Sequence, residues 1–194
     1  MSKVGLFFGS FNPIHIGHLM MAEFFVENTD LKELWFVVSP NNPLKKKESL
    51  LDGRQRLYMV NLAVEDDARF RSSDIEFHLP IPSYTSHTLV HLQEKYPDKE
   101  FALIMGEDNL QNIEKWKNYE FILEHFPIYV YPRPNCDAGR WRNAPNVHFV
   151  PAPQLEISAT MIRDSIAQGK SVKYFLHPKV AQCIDEMGFY KRRS

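Results

Sequence analysis

Lys3-Val-Gly-Leu-Phe-Phe-Gly-Ser-Phe-Asn-Pro-Ile-His-Ile-Gly-His18 is the stretch whose reading decides the fold. Lys3 to Phe8 reads as a short buried strand, apolar and bounded by glycine. Gly9 to His18 carries glycine, proline and histidine, and an apolar run from Leu19 to Val26 follows. Strand, tight loop, helix is the first half of a βα unit. Gly9 has no Cβ, so backbone there can approach a ligand closely, and Asn12-Pro13 turns the chain. His15 and His18 lie three apart, and if Ile16 or Gly17 opens the helix both imidazoles reach one face of its first turn. A helix N-terminus offers unpaired N–H groups and partial positive charge to an anion. Two imidazole donors added to it point to a polyphosphate.

Two blander readings compete. A His-x-x-His pair on a helix can bind metal, but no third ligand of matching type stands nearby. Isolated histidines more often cap or pack than ligate. The surrounding loop reverses those odds, because Gly9-x-Phe11-x-Pro13-x-His15-x-Gly17-His18 resembles the H-x-G-H signature of the nucleotidyltransferase superfamily, whose members join a nucleotide to a phosphate. Neither the G-x-G-x-x-G loop of dehydrogenases nor the G-x-x-x-x-G-K-[ST] loop of P-loop enzymes occurs. The resemblance gives His18 the α-phosphate and His15 the triphosphate tail of ATP, with Gly9, Ser10 and Phe11 around the nucleotide.

The bulk properties agree. A chain of 194 residues is most simply one domain, long enough to remove roughly 70% of its unfolded surface from water. A net charge of −1 gives no general pull toward nucleic acid or membranes, so phosphate binding must be local. Cys136 and Cys183 form no disulfide framework and suit a reducing cytoplasm. No apolar run reaches membrane-span length and the start has no signal-peptide pattern.

Outward from the first unit, Glu33 to Val38 reads as a second buried strand, β-branched and aromatic. Ser39 to Lys47 is a long polar loop. Asp52 opens a helix, Phe70 to Phe77 is a third strand, and Ser83-Tyr-Thr-Ser86 opens another helix. Strands follow at Glu100 to Met105, Phe126 to Tyr131 and Val147 to Val150, with a helix over Trp116 to Glu124. Ser158 N-caps a helix through Ile166 that ends near Gly169, and Pro178 to Met187 is a final amphipathic helix. Strands alternating with helices predict an α/β, Rossmann-like open sheet, mostly parallel, with helices on both faces. Residues 157–194 form a small C-terminal helical appendage of the single domain.

A second phosphate-binding element is expected, and Ile157-Ser-Ala-Thr-Met-Ile-Arg163 fits. It places hydroxyls at a helix N-terminus and an arginine one turn in. It resembles the superfamily's I-S-S-T-x-I-R motif, departing at Ala159, and leaves Ser158, Thr160 and Arg163 for the β- and γ-phosphates. With His15 and His18, Arg163 completes the expected catalytic set. In-line attack on the α-phosphorus needs positioning and charge neutralisation more than acid–base work. Mg²⁺ bound with ATP is the expected cofactor, with no metal held by the protein itself.

Tyr84-Thr85, Gly106-Glu-Asp108, Trp116 and Arg133-Pro134 follow or flank strand ends. Together they resemble the nicotinate mononucleotide adenylyltransferases over nearly the whole chain. The resemblance assigns Gly106 and Asp108 to ATP. It assigns Asn12, Lys45, Tyr84, Thr85, Trp116, Lys117 and Arg133 to the acceptor. Trp116 offers a flat face to a pyridine ring, although a lone tryptophan is more often core. Backbone N–H groups of Trp116 and Lys117, at a helix start, would take a carboxylate and favour nicotinate over nicotinamide. Leu44 replaces a usual histidine and His87 a usual aspartate. The implied reaction is adenylyl transfer from ATP to nicotinate mononucleotide, a step of NAD biosynthesis. Phosphopantetheine or nicotinamide mononucleotide transfer in the same superfamily is the runner-up, and a non-catalytic nucleotide sensor is the reading from a different class. The partners are small molecules, with no nucleic acid and no membrane, and homo-oligomerisation stays open.

Overall fold

The structure is a computed structural model that describes residues 2–40 and 50–192. Six strands build one open, all-parallel sheet: β1 (Ser2–Gly9), β2 (Glu33–Val38), β3 (Phe70–Ser73), β4 (Lys99–Gly106), β5 (Ile128–Tyr131) and β6 (Val147–Phe149). Their order across the sheet is β3-β2-β1-β4-β5-β6. The chain works outward from β1 in one direction, then returns to β4 and works outward in the other. β1 and β4 therefore flank the switch point, where ligands bind outside the carboxyl ends of the strands in open α/β sheets.

The strands are apolar on both faces because helices cover both. Val4 and Leu6 of β1, Trp35 and Val37 of β2, and Phe101, Leu103 and Met105 of β4 point into one buried cluster. That cluster is closed by α3 (Thr85–Lys95), α4 (Glu107–Gln111) and α5 (Tyr119–His125). Phe7, Leu34, Phe36, Val38, Ala102 and Ile104 alternate with them and point into the other. The second cluster is shared by α1 (Ile16–Asn28), α2 (Gly53–Val64), α6 (Ala159–Ala167) and α7 (Pro178–Met187). Ile162, Val180 and Ile184 of the two late helices are buried in the same cluster as Phe25 and Met59.

Two sequence expectations are corrected. The strand expected over Phe70 to Phe77 stops at Ser73, and Ile75–His78 is a 3₁₀ turn that carries Glu76 into the interior. The helix expected from Trp116 begins at Tyr119, after a 3₁₀ turn over Ile113–Lys115 and a left-handed Asn118 at φ 57°. The short helix α4 directly after β4 was not expected. Lys45 and Leu44 lie outside the described residues.

Candidate active site

The loop from β1 to α1 is shaped by its own side chains. Phe11 is left-handed (φ 46°), and its buried ring lies over Gly9, where an added Cβ would stand 2.7 Å from Cζ. The Phe11 ring thus leaves no room for a side chain at 9. Gly17 makes room in the same way for the His15 ring, which a Cβ would meet at 3.0 Å.

His15 is the N-cap of α1. Its carbonyl accepts from the N–H of His18 at 2.9 Å and of Leu19 at 3.3 Å. Its own N–H donates to His18 Nδ1 at 3.2 Å. With Nδ1 accepting, a ring proton on His18 sits at Nε2. The two rings stack with centroids 3.7 Å apart and planes 27° from parallel. Burial, and then the charge of Arg133, lower the His15 pKa to about 4, so it stays a neutral imidazole near pH 7. His15 Nδ1 and Ser10 Oγ are buried without a hydrogen-bond partner among the described residues.

The late motif meets this loop. A cavity of about 1080 Å³ is lined by Asn12, His15 and His18 on one side and by Ser158, Thr160 and Arg163 on the other. Arg163 bridges the two, with one guanidinium nitrogen donating to the Asn12 carbonyl at 2.9 Å and the other to Thr160 Oγ1 at 3.2 Å. Ser158 caps α6 by accepting from the Met161 N–H at 3.1 Å. The N-termini of α1 and α6 thus open on one space, and Arg133 lines it as well. Two helix ends and two guanidinium groups make a strongly anion-seeking concavity.

A second pocket of about 260 Å³ lies between the carboxyl ends of β1 and β4, lined by Gly9, Ser10, Thr85, Gly106 and Trp116 among others. Phe7 and Tyr131 line both spaces, so the two adjoin. Of the residues expected around ATP, Ser10 and Gly106 therefore face the smaller pocket. Asp108 stands exposed 3.8 Å from Arg133 Nε. Of the residues expected around the acceptor, Asn12 and Arg133 face the larger cavity. Tyr84 is more than a third exposed, with Lys117 Nζ 4.4 Å above its ring. The Trp116 N–H already donates to the Ile113 carbonyl at 2.8 Å, which removes it as the carboxylate donor expected at a helix start. His87 packs edge-on against Tyr84 at 5.6 Å.

Two residues of this region were not singled out in the sequence. Glu76 lines the smaller pocket and is 4% exposed. It accepts from Thr88 Oγ1 at 3.1 Å and Ser83 Oγ at 3.3 Å, and burial raises its pKa against those hydrogen bonds. Arg56 is fully buried, with no ion-pair partner among the described residues. Its guanidinium donates to the carbonyls of Leu51, Ser39 and Pro40, each at 2.9 Å, and to that of Ser10. Periodicity carried a signal for it, since Arg56 falls on the same face of α2 as Met59, Val60 and Val64.

Among the described residues no cluster of His, Cys, Asp and Glu is arranged to hold a metal ion, and no helix is long and apolar enough to cross a membrane.

Comparison with known proteins agrees with this geometry. The cytidylyltransferase-like family model matches residues 6–165. A probable nicotinate-nucleotide adenylyltransferase of Flavobacterium psychrophilum is 55% identical over 192 residues, covering 98% of this chain and all of the relative. One of Bacteroides fragilis is 49% identical, covering 92% of this chain and 89% of its own. In three dimensions the chain superimposes on the nicotinic acid mononucleotide adenylyltransferase of Plasmodium falciparum complexed with NaAD at a TM-score of 0.82, with 20% identity and 98% of both chains covered. The chain belongs to the cytidylyltransferase-like family and, within it, to the nicotinate-nucleotide adenylyltransferases.

Proposed function

We propose that the large cavity holds the triphosphate of ATP and the adjoining smaller pocket the pyridine mononucleotide, for adenylyl transfer that yields nicotinate adenine dinucleotide and pyrophosphate. The observation that carries the reading is that two phosphate-type motifs, tied by the Arg163–Asn12 hydrogen bond across 151 residues of sequence, line one space. A phosphate oxygen of the acceptor forms a new bond to the α-phosphorus. The bond from that phosphorus to the α–β bridging oxygen breaks, and the electron pair leaves on pyrophosphate.

The groups present do what such a transfer needs. His18, at the N-terminus of α1, donates from Nε2 to the α-phosphate. His15, a neutral imidazole on the wall of the same cavity, serves the tail. Thr160, Arg163 and the α6 N-terminus neutralise charge as it develops on the leaving pyrophosphate. Donors set in place before reaction stabilise that charge without reorganising. Thr85 and Trp116 frame the acceptor. Gly9, Ser10 and Gly106 line the same pocket as the acceptor, and Phe7 and Tyr131 stand where the two spaces adjoin. We assign Mg²⁺ to the triphosphate, whose oxygens suit a hard cation, and it supplies further charge neutralisation there. The proposed setting is the cytoplasm, in keeping with two free cysteines.

The test is to incubate the protein with ATP and Mg²⁺ and, separately, nicotinate mononucleotide, nicotinamide mononucleotide or phosphopantetheine, and to measure pyrophosphate. Release with nicotinate mononucleotide above the others is expected. Release only with another acceptor would overturn the substrate, and none with any would favour a nucleotide-binding protein without transfer activity.

A further inference from the structure

The segment that follows α7 reaches back to the first loop through Tyr190. Helix α7 ends at Gly188, left-handed at φ 63°, and the Phe189 N–H returns to the Ile184 carbonyl at 3.0 Å, a Schellman-type stop. Tyr190 follows, also left-handed at φ 64°, a conformation a residue with a Cβ avoids unless its surroundings hold it. What holds it is the phenol, which donates to Asn12 Oδ1 at 2.8 Å.

Asn12 is the hub of the phosphate loop. Its Oδ1 also accepts from the Leu51 N–H at 3.3 Å, and its carbonyl accepts from Arg163 at 2.9 Å. The fully buried Arg56 binds the carbonyls of Ser10 and Leu51 alongside. Burial raises the Tyr190 pKa, against the charges of Arg163 and Arg56, so the hydroxyl remains a donor across the working pH range.

We propose that Tyr190 is a positioning residue for the reaction, a C-terminal latch that fixes Asn12 and through it the alignment of the β1–α1 loop with Arg163 around the triphosphate. This rests on the assignment of the large cavity to ATP. Tyr190 is not among the residues that line either cavity, and its phenol reaches the phosphate loop by the hydrogen bond to Asn12, so its loss loosens the alignment of two half-sites rather than removing a contact to substrate.

The test uses inorganic pyrophosphate, in the presence of Mg²⁺, as the probe, with binding followed by calorimetry on the full chain. Tyr190→Phe keeps the ring and removes only the hydroxyl. We expect its pyrophosphate Kd to rise about fivefold or more and the KM for ATP to rise with it, while the KM for the acceptor stays within about twofold. Lys191→Ala breaks the 2.8 Å ion pair of Lys191 with Asp185 at the same helix end and touches nothing in the loop. It is expected to hold pyrophosphate within about twofold of the parent, whatever it does to Tm. If Tyr190→Phe binds pyrophosphate as the parent does, or if Lys191→Ala weakens binding equally, the latch is overturned. If the parent itself does not bind pyrophosphate, it is the assignment of the cavity that fails.

Discussion

The imidazole of His15 is 5% exposed and sits beside Arg133, two reasons for its pKa of about 4 against an ordinary 6.5. A base whose folded pKa is depressed stays neutral in the fold while the unfolded chain takes up a proton, so stability falls as pH drops from 6.5 toward 4. Each unit is worth about 1.4 kcal/mol, giving an acid loss on the order of a few kcal/mol from this residue. His15→Asn should therefore flatten the dependence of unfolding free energy on pH between 7 and 4.5, measured by urea titration; an acid limb identical to the parent's would place the effect elsewhere. The role proposed for His18 is a contact to the α-phosphate instead. Its replacement by alanine should lower kcat by about a hundredfold, the loss of one preorganised transition-state donor, and a near-normal kcat would remove it from the reaction. Trp116→Ala should raise the KM for the acceptor with that for ATP little changed, whereas equal weakening of both would mark a core residue. The histidines and the Ser-x-Thr-x-x-Arg residues were legible in the sequence because their chemistry is local: a donor at a helix start needs only the residue and the cap. Glu76 was not, because what draws it inward is the pair of hydroxyls on Ser83 and Thr88, which no pattern within Asp74-Ile-Glu-Phe77 reveals.

At the scale of elements, the boundaries that held were those set by capping chemistry or by an unbroken β-branched and aromatic run. β2 and α7 run as their sequences read, the one a β-branched and aromatic run, the other opened by Pro178 and closed by Gly188. The ones that shifted were set by tertiary demands, as where β3 gives way to a 3₁₀ turn so that Glu76 can be buried. Asn118 delays α5 by taking a left-handed turn that asparagine tolerates better than most residues. Helix α2 carries the clearest mechanical role. Through Arg56 it ties the carboxyl end of β2, Leu51 and the phosphate loop by four carbonyls. Truncation to methionine orphans those acceptors, each costing about 1–3 kcal/mol if left dry, offset by no longer burying a charge. Arg56→Met should thus lower unfolding stability by roughly 2–4 kcal/mol and raise the KM for ATP. Unchanged urea midpoints would mean that water replaces the guanidinium at little cost.

The molecule as a whole is arranged around the switch point between β1 and β4. A parallel sheet covered on both faces, and the order of the strands and of every α-helix but α4, were readable from composition and period. That the first loop and the Ser158–Arg163 segment, at opposite ends of the chain, share a space was expected from their joint resemblance to one family; what brings them together is visible only in the fold, where the return of α6 onto the core of α1 and α2 carries Arg163 to Asn12. A site assembled only in the fold binds ATP in the folded state alone, so ATP with Mg²⁺ at a hundred times its Kd should stabilise by about 2.7 kcal/mol and raise Tm by roughly 5–10 °C. No shift at that concentration would argue against the cavity as a nucleotide site. The most direct test is a crystal structure with a non-hydrolysable ATP analogue and Mg²⁺. One triphosphate is expected within hydrogen-bond distance of His18 Nε2 and of Thr160 and Arg163 together, whereas a triphosphate bound to one motif alone, or outside this cavity, would contradict the shared grip on which the account stands.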